Sequence, residues 1–240
     1  MHTVPIRAYL LRDDGVMTTL EKSLKRFCRC YWALSGIPPH SILAPVEVLT
    51  ALILEWPQLG GAIQQDGGEI LQCLRIAPVT AVALPPHRTT VCVEGITLAS
   101  LGVRILQKSN ISLQHLWDNV AVNWDNIQCH PSCLVVVFPS VYPTDNGGHC
   151  YSNLVVTDTD APVQAGSGST KYYLRSYVQH RHQGDPSGAL HGGGHYVAHF
   201  RNSGIWYTAD DTATTVRRQQ DHKLPAAAFF ELVGASAEED

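Results

Sequence analysis

Gly192-Gly193-Gly194-His195-Tyr196-Val197-Ala198-His199-Phe200, followed shortly by Gly204-Ile205-Trp206-Tyr207-Thr208-Ala209-Asp210-Asp211, is the densest patterned stretch of the chain. Aromatic and β-branched residues crowd both halves, and Gly204 supplies a turn between them. The pattern predicts two strands, His195 to Arg201 and Ile205 to Ala209. Lys171 to His180, just upstream across a glycine-rich loop, reads as a third strand, so the three form an antiparallel meander. In such a meander a histidine at the mouth of one strand and an acid at the end of the next come to the same end of the sheet. There the acid can fix the tautomer and orientation of the imidazole. His195 with Asp210 suits that geometry, with Asp211 beside them to orient water. On the residues alone, the same stretch is also compatible with a satisfied strand histidine, an acidic turn and a hairpin loop.

Working outward, Ala228 to Val233 adds one more apolar strand, and Ala235 to Asp240 is a short acidic tail expected to fray. Upstream, Asp158 to Thr170 is rich in Gly, Ser, Ala and Asp and reads as a mobile surface loop. Val79 to Leu84, Thr89 to Val93 and Leu134 to Phe138 are short β-branched runs, and Ser112 caps a brief helix reaching Val120.

The first 77 residues have a different texture. Leu20, Leu24, Phe27, Tyr31 and Leu34 recur at intervals of three and four, which draws an apolar stripe along a helix. Thr18 with Glu21 three residues later forms a capping-box start, and Gly36 before Pro38 and Pro39 ends it. A second helix, entered by Pro45, carries Val48, Leu49, Leu52, Ile53 and Trp56 on a broad buried face and stops at Pro57. A third begins at Asp66, with Glu69 in capping-box position. Helices first and strands afterwards give an α+β chain: a helical lobe over 1–77, a β-rich lobe over 78–234 and a tail over 235–240.

The chain has 240 residues, 45% of them hydrophobic and 16% charged, enough to bury a substantial core. A formal net charge of -4 provides no basic field to recruit nucleic acid or an anionic membrane. The longest purely aliphatic and aromatic run, Leu134 to Phe138, is far short of the roughly 18 residues a spanning helix needs. Met1-His2-Thr3-Val4-Pro5 shows no secretory pattern, and seven irregularly spaced cysteines fit a reducing compartment, so a soluble cytoplasmic or nuclear protein is expected.

The glycine-histidine-tyrosine entry, the following strand with its tryptophan, and the paired acids together resemble the histidine box of ubiquitin-specific proteases. The likeness covers residues 171–216 best. Gln64-Gln65-Asp66-Gly67-Gly68-Glu69-Ile70-Leu71 resembles the glutamine-aspartate box of the same family. Phe229-Phe230-Glu231-Leu232-Val233 resembles its last strand. The resemblance implies a papain-like fold with an N-terminal helical thumb, a C-terminal antiparallel palm and reduced fingers. It also implies thiol-dependent hydrolysis of the isopeptide bond after the ubiquitin C-terminus. His195 would be base and then acid, and Asp210 its orienting partner. Asp66 and Glu69, with Gln65, would face arginines of the ubiquitin tail, a role compatible with capping their own helix. Gly193, Gly194 and Tyr196 would admit that tail, since bare glycine backbone permits close approach of another chain. The implied partners are ubiquitin or ubiquitinated proteins, without cofactor or metal.

A thiol protease also needs a cysteine at a helix N-terminus, where the dipole and a histidine favour thiolate. In the family this box precedes all of these motifs, yet Ile6-Arg7-Ala8-Tyr9-Leu10-Leu11 already resembles the segment that comes after it. The resemblance therefore implies that the sequence begins after the nucleophile segment, and negligible hydrolysis is expected. A catalytically dead ubiquitin-binding or scaffold domain is the alternative. Cys30, before Tyr31, is a weak substitute, because it lies inside its helix and only 36 positions from Asp66. Cys129, Cys133 and Cys150 lack paired zinc-knuckle spacing, and His180, His182, His191, His195 and His199 show no regular ligand spacing.

Overall fold

The computed structural model describes residues 7, 10, 11, 18–33, 45–60, 92–93, 109–119, 133–138, 141–182, 194–211, 213–216, 222–223 and 225–234. Two helices, α1 (Thr19–Ala33) and α2 (Val46–Glu55), pack on each other, and a 3-10 turn, Pro57–Gly60, follows α2. The Thr18 hydroxyl accepts from the Glu21 amide at 3.1 Å, so the start of α1 is capped as its sequence demands. Leu20, Ala51, Leu52 and Leu59 form the buried seam, with Val48 and Trp56 packed against it. The face of α2 is narrower than its sequence suggests, because Leu49 is 53% exposed. In α1 burial also takes in residues the apolar stripe did not include: Cys28 is buried, and so is Lys25, which pairs with Glu21 at 3.8 Å.

The β-rich part is built around an eight-stranded sheet. Its strands are β1 (Cys92–Val93), β3 (Cys133–Val137), β7 (Val163–Gln164), β8 (Lys171–His182), β9 (Gly194–Asn202), β10 (Ile205–Asp210), β11 (Ala213–Val216) and β13 (Ala227–Leu232). The order is β1-β3-β13-β8-β9-β10-β11, with β7 pairing β8 off that path. All pairs are antiparallel except β1 with β3. Smaller sheets join β2 (Asn110–Ser112), β6 (Val155–Thr157) and β12 (His222–Lys223), and β4 (Val141–Pro143) with β5 (His149–Tyr151). The short helix α3 (Leu113–Asp118) starts at Ser112, whose hydroxyl accepts from the His115 amide at 3.2 Å. It lays Trp117 against Phe230 and Tyr172, with ring centroids 4.6 and 5.7 Å apart. Such aromatic pairs add ~0.5–1.5 kcal/mol each beyond the area they bury.

The meander β8-β9-β10 forms as its alternation predicts. Ser203 and Gly204 both take positive φ, 47° and 79°, so a two-residue turn of the primed type sets Asn202 opposite Ile205. β8 carries one irregularity. Phe229 of β13 faces Ser176 and Phe230 faces Leu174, so Arg175 is an extra residue in the ladder. Before it Tyr172 and Leu174 are buried; after it Tyr177 and Gln179 are. The bulge thus hands the inward face from even to odd positions.

The stretch from Asp158 to Thr170, expected to be a mobile loop, is a tied-down turn. β7 lies within it, Thr159, Val163 and Ala165 are buried, and the Asp160 carboxylate accepts from Trp206 Nε1 at 2.8 Å and pairs with Arg201 at 3.6 Å. Polar composition marked a surface segment but not its anchors. The predicted third helix, the Val79 to Leu84 strand and the acidic tail lie outside the described residues, as do Gln65, Asp66, Glu69 and Gly193. Only Cys92 and Val93 of the Thr89 to Val93 strand lie inside them.

Candidate active site at the open end of the meander

Three neighbouring strands end together. His195 stands directly across from Arg181 of β8. The register of β9 with β10 puts Thr208 across from His199, which sets Asp210 level with Val197 and one diagonal step from His195 on the same face. Alternation and the bulge place Arg181, His195 and Asp210 on the face that further down buries Tyr177, His199 and Trp206. His195 Nε2 lies 2.5 Å from Asp210 Oδ1, and Arg181 Nη1 donates to Asp210 Oδ2 at 2.9 Å. The side chains of His195, Asp210 and Arg181 are 39%, 35% and 47% exposed, so the group is open to a partner or substrate.

Both oxygens of Asp210 are engaged by donors. The hydrogen bond from His195, then the charges of His195 and Arg181, hold the Asp210 carboxyl below its ordinary value against a smaller opposing effect of burial. An ionised Asp210 takes a proton-bearing Nε2 as its donor. The imidazole then keeps Nδ1 as the atom able to accept a proton. Among the described residues, His195 makes no hydrogen bond through Nδ1 and no cysteine sulfur bonds it.

Asp211 follows with a left-handed backbone, φ 49°, and is exposed. Its carboxylate, that of Asp210 and the His195 ring offer atoms within 4.8 Å of one another. A shared cation is a poor fit. Two atoms bound to one ion at ~2.0–2.2 Å and at right angles or wider stand roughly 3 Å apart. The 2.5 Å contact is that of a shared proton, and Arg181 already neutralises Asp210.

Beneath the site lies a second layer. His199 is buried, its Nε2–H donating to Gln179 Oε1 at 3.1 Å and its Nδ1 lying 2.9 Å from Thr208 Oγ1. The ring stacks on Tyr177 with centroids 4.5 Å apart. Gly194, one of the residues expected to admit a tail, has His180 packed so closely over its Cα that a Cβ has no room. His180 in turn stands 4.6 Å from the ring of Tyr196 and 5.5 Å from that of Tyr151.

Cys30, the weak nucleophile candidate, is exposed well inside α1, in a groove of about 460 Å³ with Phe27, Arg26 and Val46. Cys28 is buried, and burial pushes its thiol up to about 11. Cys133 is buried in β3. Sequence reading did not single out Arg181, Gln179 or Thr208. Alternation along β8 carried part of the signal, but the bulge at Arg175 hides which face those residues take.

Comparison with solved structures places the fold. It is of the ubiquitin-specific protease type. The SAGA Ubp8/Sgf11/Sus1/Sgf73 DUB module bound to ubiquitin aldehyde matches 90% of the chain at 14% identity and a TM-score of 0.52. The SAGA DUB module bound to monoubiquitin matches 95% of it, also at 14% identity and 0.52. An essential yeast splicing factor is similar over 96% of the chain at 14% identity and a TM-score of 0.63. The chain spans 64% of the splicing factor and 59% and 61% of the two DUB-module chains. No family model matches the sequence, and no curated protein does.

Proposed function

We propose that the chain is a deubiquitinase-type domain carrying the acid–base half of a thiol hydrolase, which recognises ubiquitin or ubiquitinated proteins through the tail. The observation that supports it most is the His195–Asp210 pair, with one oxygen of Asp210 on Nε2, which leaves Nδ1 as the proton-accepting atom. A base so oriented takes a proton from a thiol at Nδ1 and returns it to the leaving amine. Asp210 holds the tautomer without itself being protonated. Asp66 and Glu69, with Gln65, would meet guanidinium groups of the ubiquitin tail. Gly193, Gly194 and Tyr196 would line its approach, and Asp211 would orient water.

A second reading, ubiquitin binding without cleavage, is favoured by three of the cysteines among the described residues. Cys28 and Cys133 are buried and Cys30 lies within a helix, far from the dipole end that activates a thiol. Fold alone does not choose between the readings, since the same fold serves a splicing factor. Loss of a nucleophile costs on the order of a million-fold in turnover.

The test is the intact mass of the chain after exposure to ubiquitin bearing a C-terminal thiol-reactive group, with Cys30→Ala in parallel. The binding reading predicts no adduct on either protein. An adduct lost in Cys30→Ala makes Cys30 a nucleophile and overturns the binding-only reading.

A further inference from the structure

The reach of Arg181 is unusual. It sits on β8, yet its bonded partner Asp210 is on β10, two strands away, and His195 stands on β9 between them. Strands lie ~4.8 Å apart, so the guanidinium must cross roughly 10 Å of sheet, alongside the imidazole, to reach the carboxylate. It can do so on this face only because the bulge at Arg175 turns odd-numbered residues of β8 inward. Two acids compete at the end of β10, and the Asp211 carboxylate belongs to the same 4.8 Å cluster. Yet it is Asp210 that carries both donors. A carboxylate bonded at each oxygen cannot turn about its axis without losing one bond, whereas one bonded at a single oxygen can.

We propose that Arg181 is a positioning residue: by occupying Oδ2 it fixes the Asp210 carboxylate so that Oδ1 faces His195, and it selects Asp210 over Asp211 as the acid that orients the imidazole. This rests on the reading of His195 as the base, but the contacts it invokes are independent of hydrolysis. Among the described residues, the charged groups facing His195 are Asp210 from β10, Asp211 from the turn after it and Arg181 from β8. An exposed ion pair of this kind contributes little to global stability, so an unfolding screen would pass over it and the readout must be local.

The experiment is NMR on the full chain, following the Asp210 side-chain carboxyl through a pH titration and the His195 Nε2 proton at neutral pH. In Arg181→Met the Asp210 carboxyl titrates at higher pH than in the parent, and the Nε2 proton signal broadens as it exchanges with water. Arg181→Lys returns the carboxyl titration towards the parent, because it restores a charge. It leaves the Nε2 proton broadened, because an ammonium lacks the planar fork. In an Asp210→Asn background, Arg181→Met produces no further change at His195. Unchanged signals in Arg181→Met overturn the proposal, and so does full recovery of the Nε2 proton in Arg181→Lys, which would make the role one of charge alone. A further effect in the Asp210→Asn background also overturns it, since Arg181 would then act on His195 directly. Unaltered His199 ring signals confirm that each variant is folded. A failure of ubiquitin recognition would leave all of these readings untouched.

Discussion

Two histidines lie four residues apart on the same face of one strand, and the sheet treats them in opposite ways. His199, in the middle of β8-β9-β10, is 1% exposed, stacked on Tyr177, and has both ring nitrogens occupied by Thr208 and Gln179. His195, at the end, is 39% exposed on its side chain and has its Nε2 bonded to Asp210. A histidine with both nitrogens satisfied in the interior is a structural part. One with a single nitrogen pinned, and the other without a hydrogen bond among the described residues, is equipped to move a proton. The difference comes from depth in the sheet, since residue type, strand and face are shared.

The largest effect should come from removing the buried member. His199→Ala deletes a stacked ring and strands the buried Gln179, at about 2–4 kcal/mol of unfolding stability by denaturant titration, whereas His195→Ala leaves the midpoint close to the parent. Equal losses would dissolve the contrast. Gly194→Ala should come next. The new Cβ drives His180 off Tyr196 and costs about 1–3 kcal/mol, much of which a second change, His180→Ala, recovers. Thermal unfolding of the single and double variants checks it, and an unrelieved loss in the double variant would point to backbone strain instead.

A smaller effect is expected from Thr208→Val, which removes one hydrogen bond to His199 and should cost about 1 kcal/mol, visible in urea midpoints. The smallest is pH-dependent. The folded Asp210 carboxyl lies below its ordinary value. Whatever stability its pairing contributes is therefore present above the unfolded carboxyl value of about 3.9, and is lost as pH falls through the lower folded value. The difference in urea midpoint between the parent and Asp210→Asn should close as pH falls below about 4. A difference that persists undiminished at the acid end would contradict the pairing.

How much of the fold and site is legible in the sequence depends on which distances the sequence controls. The β9–β10 register is readable, because a two-residue turn at Ser203-Gly204 leaves no freedom in pairing. That is why the residues alone bring His195 and Asp210 to one end of the sheet, while choosing them as a working pair over a satisfied histidine and an acidic turn takes the family resemblance. The caps at Thr18 and Ser112 are readable for the same local reason. Arg181 is not, for two physical reasons. The stretch between His182 and Gly194 is long enough to permit several registers of β8 on β9, and a bulge opposite Phe229 and Phe230 inverts the alternation on which a face assignment depends. Bulges answer to packing against a neighbour distant in sequence, so they leave little local trace. The Asp158 to Thr170 segment misleads for a related reason, since its anchor to Trp206 and Arg201 is a long-range contact.

The measurement closest to the central claim is calorimetric titration of the folded chain with ubiquitin, alongside ubiquitin truncated of its C-terminal tail and a His195→Ala variant. Intact ubiquitin should bind, the truncated form should bind markedly more weakly, and His195→Ala, which loses only a proton-transfer group, should retain binding. Absence of any binding by the folded parent chain would contradict the assignment of this domain to ubiquitin recognition.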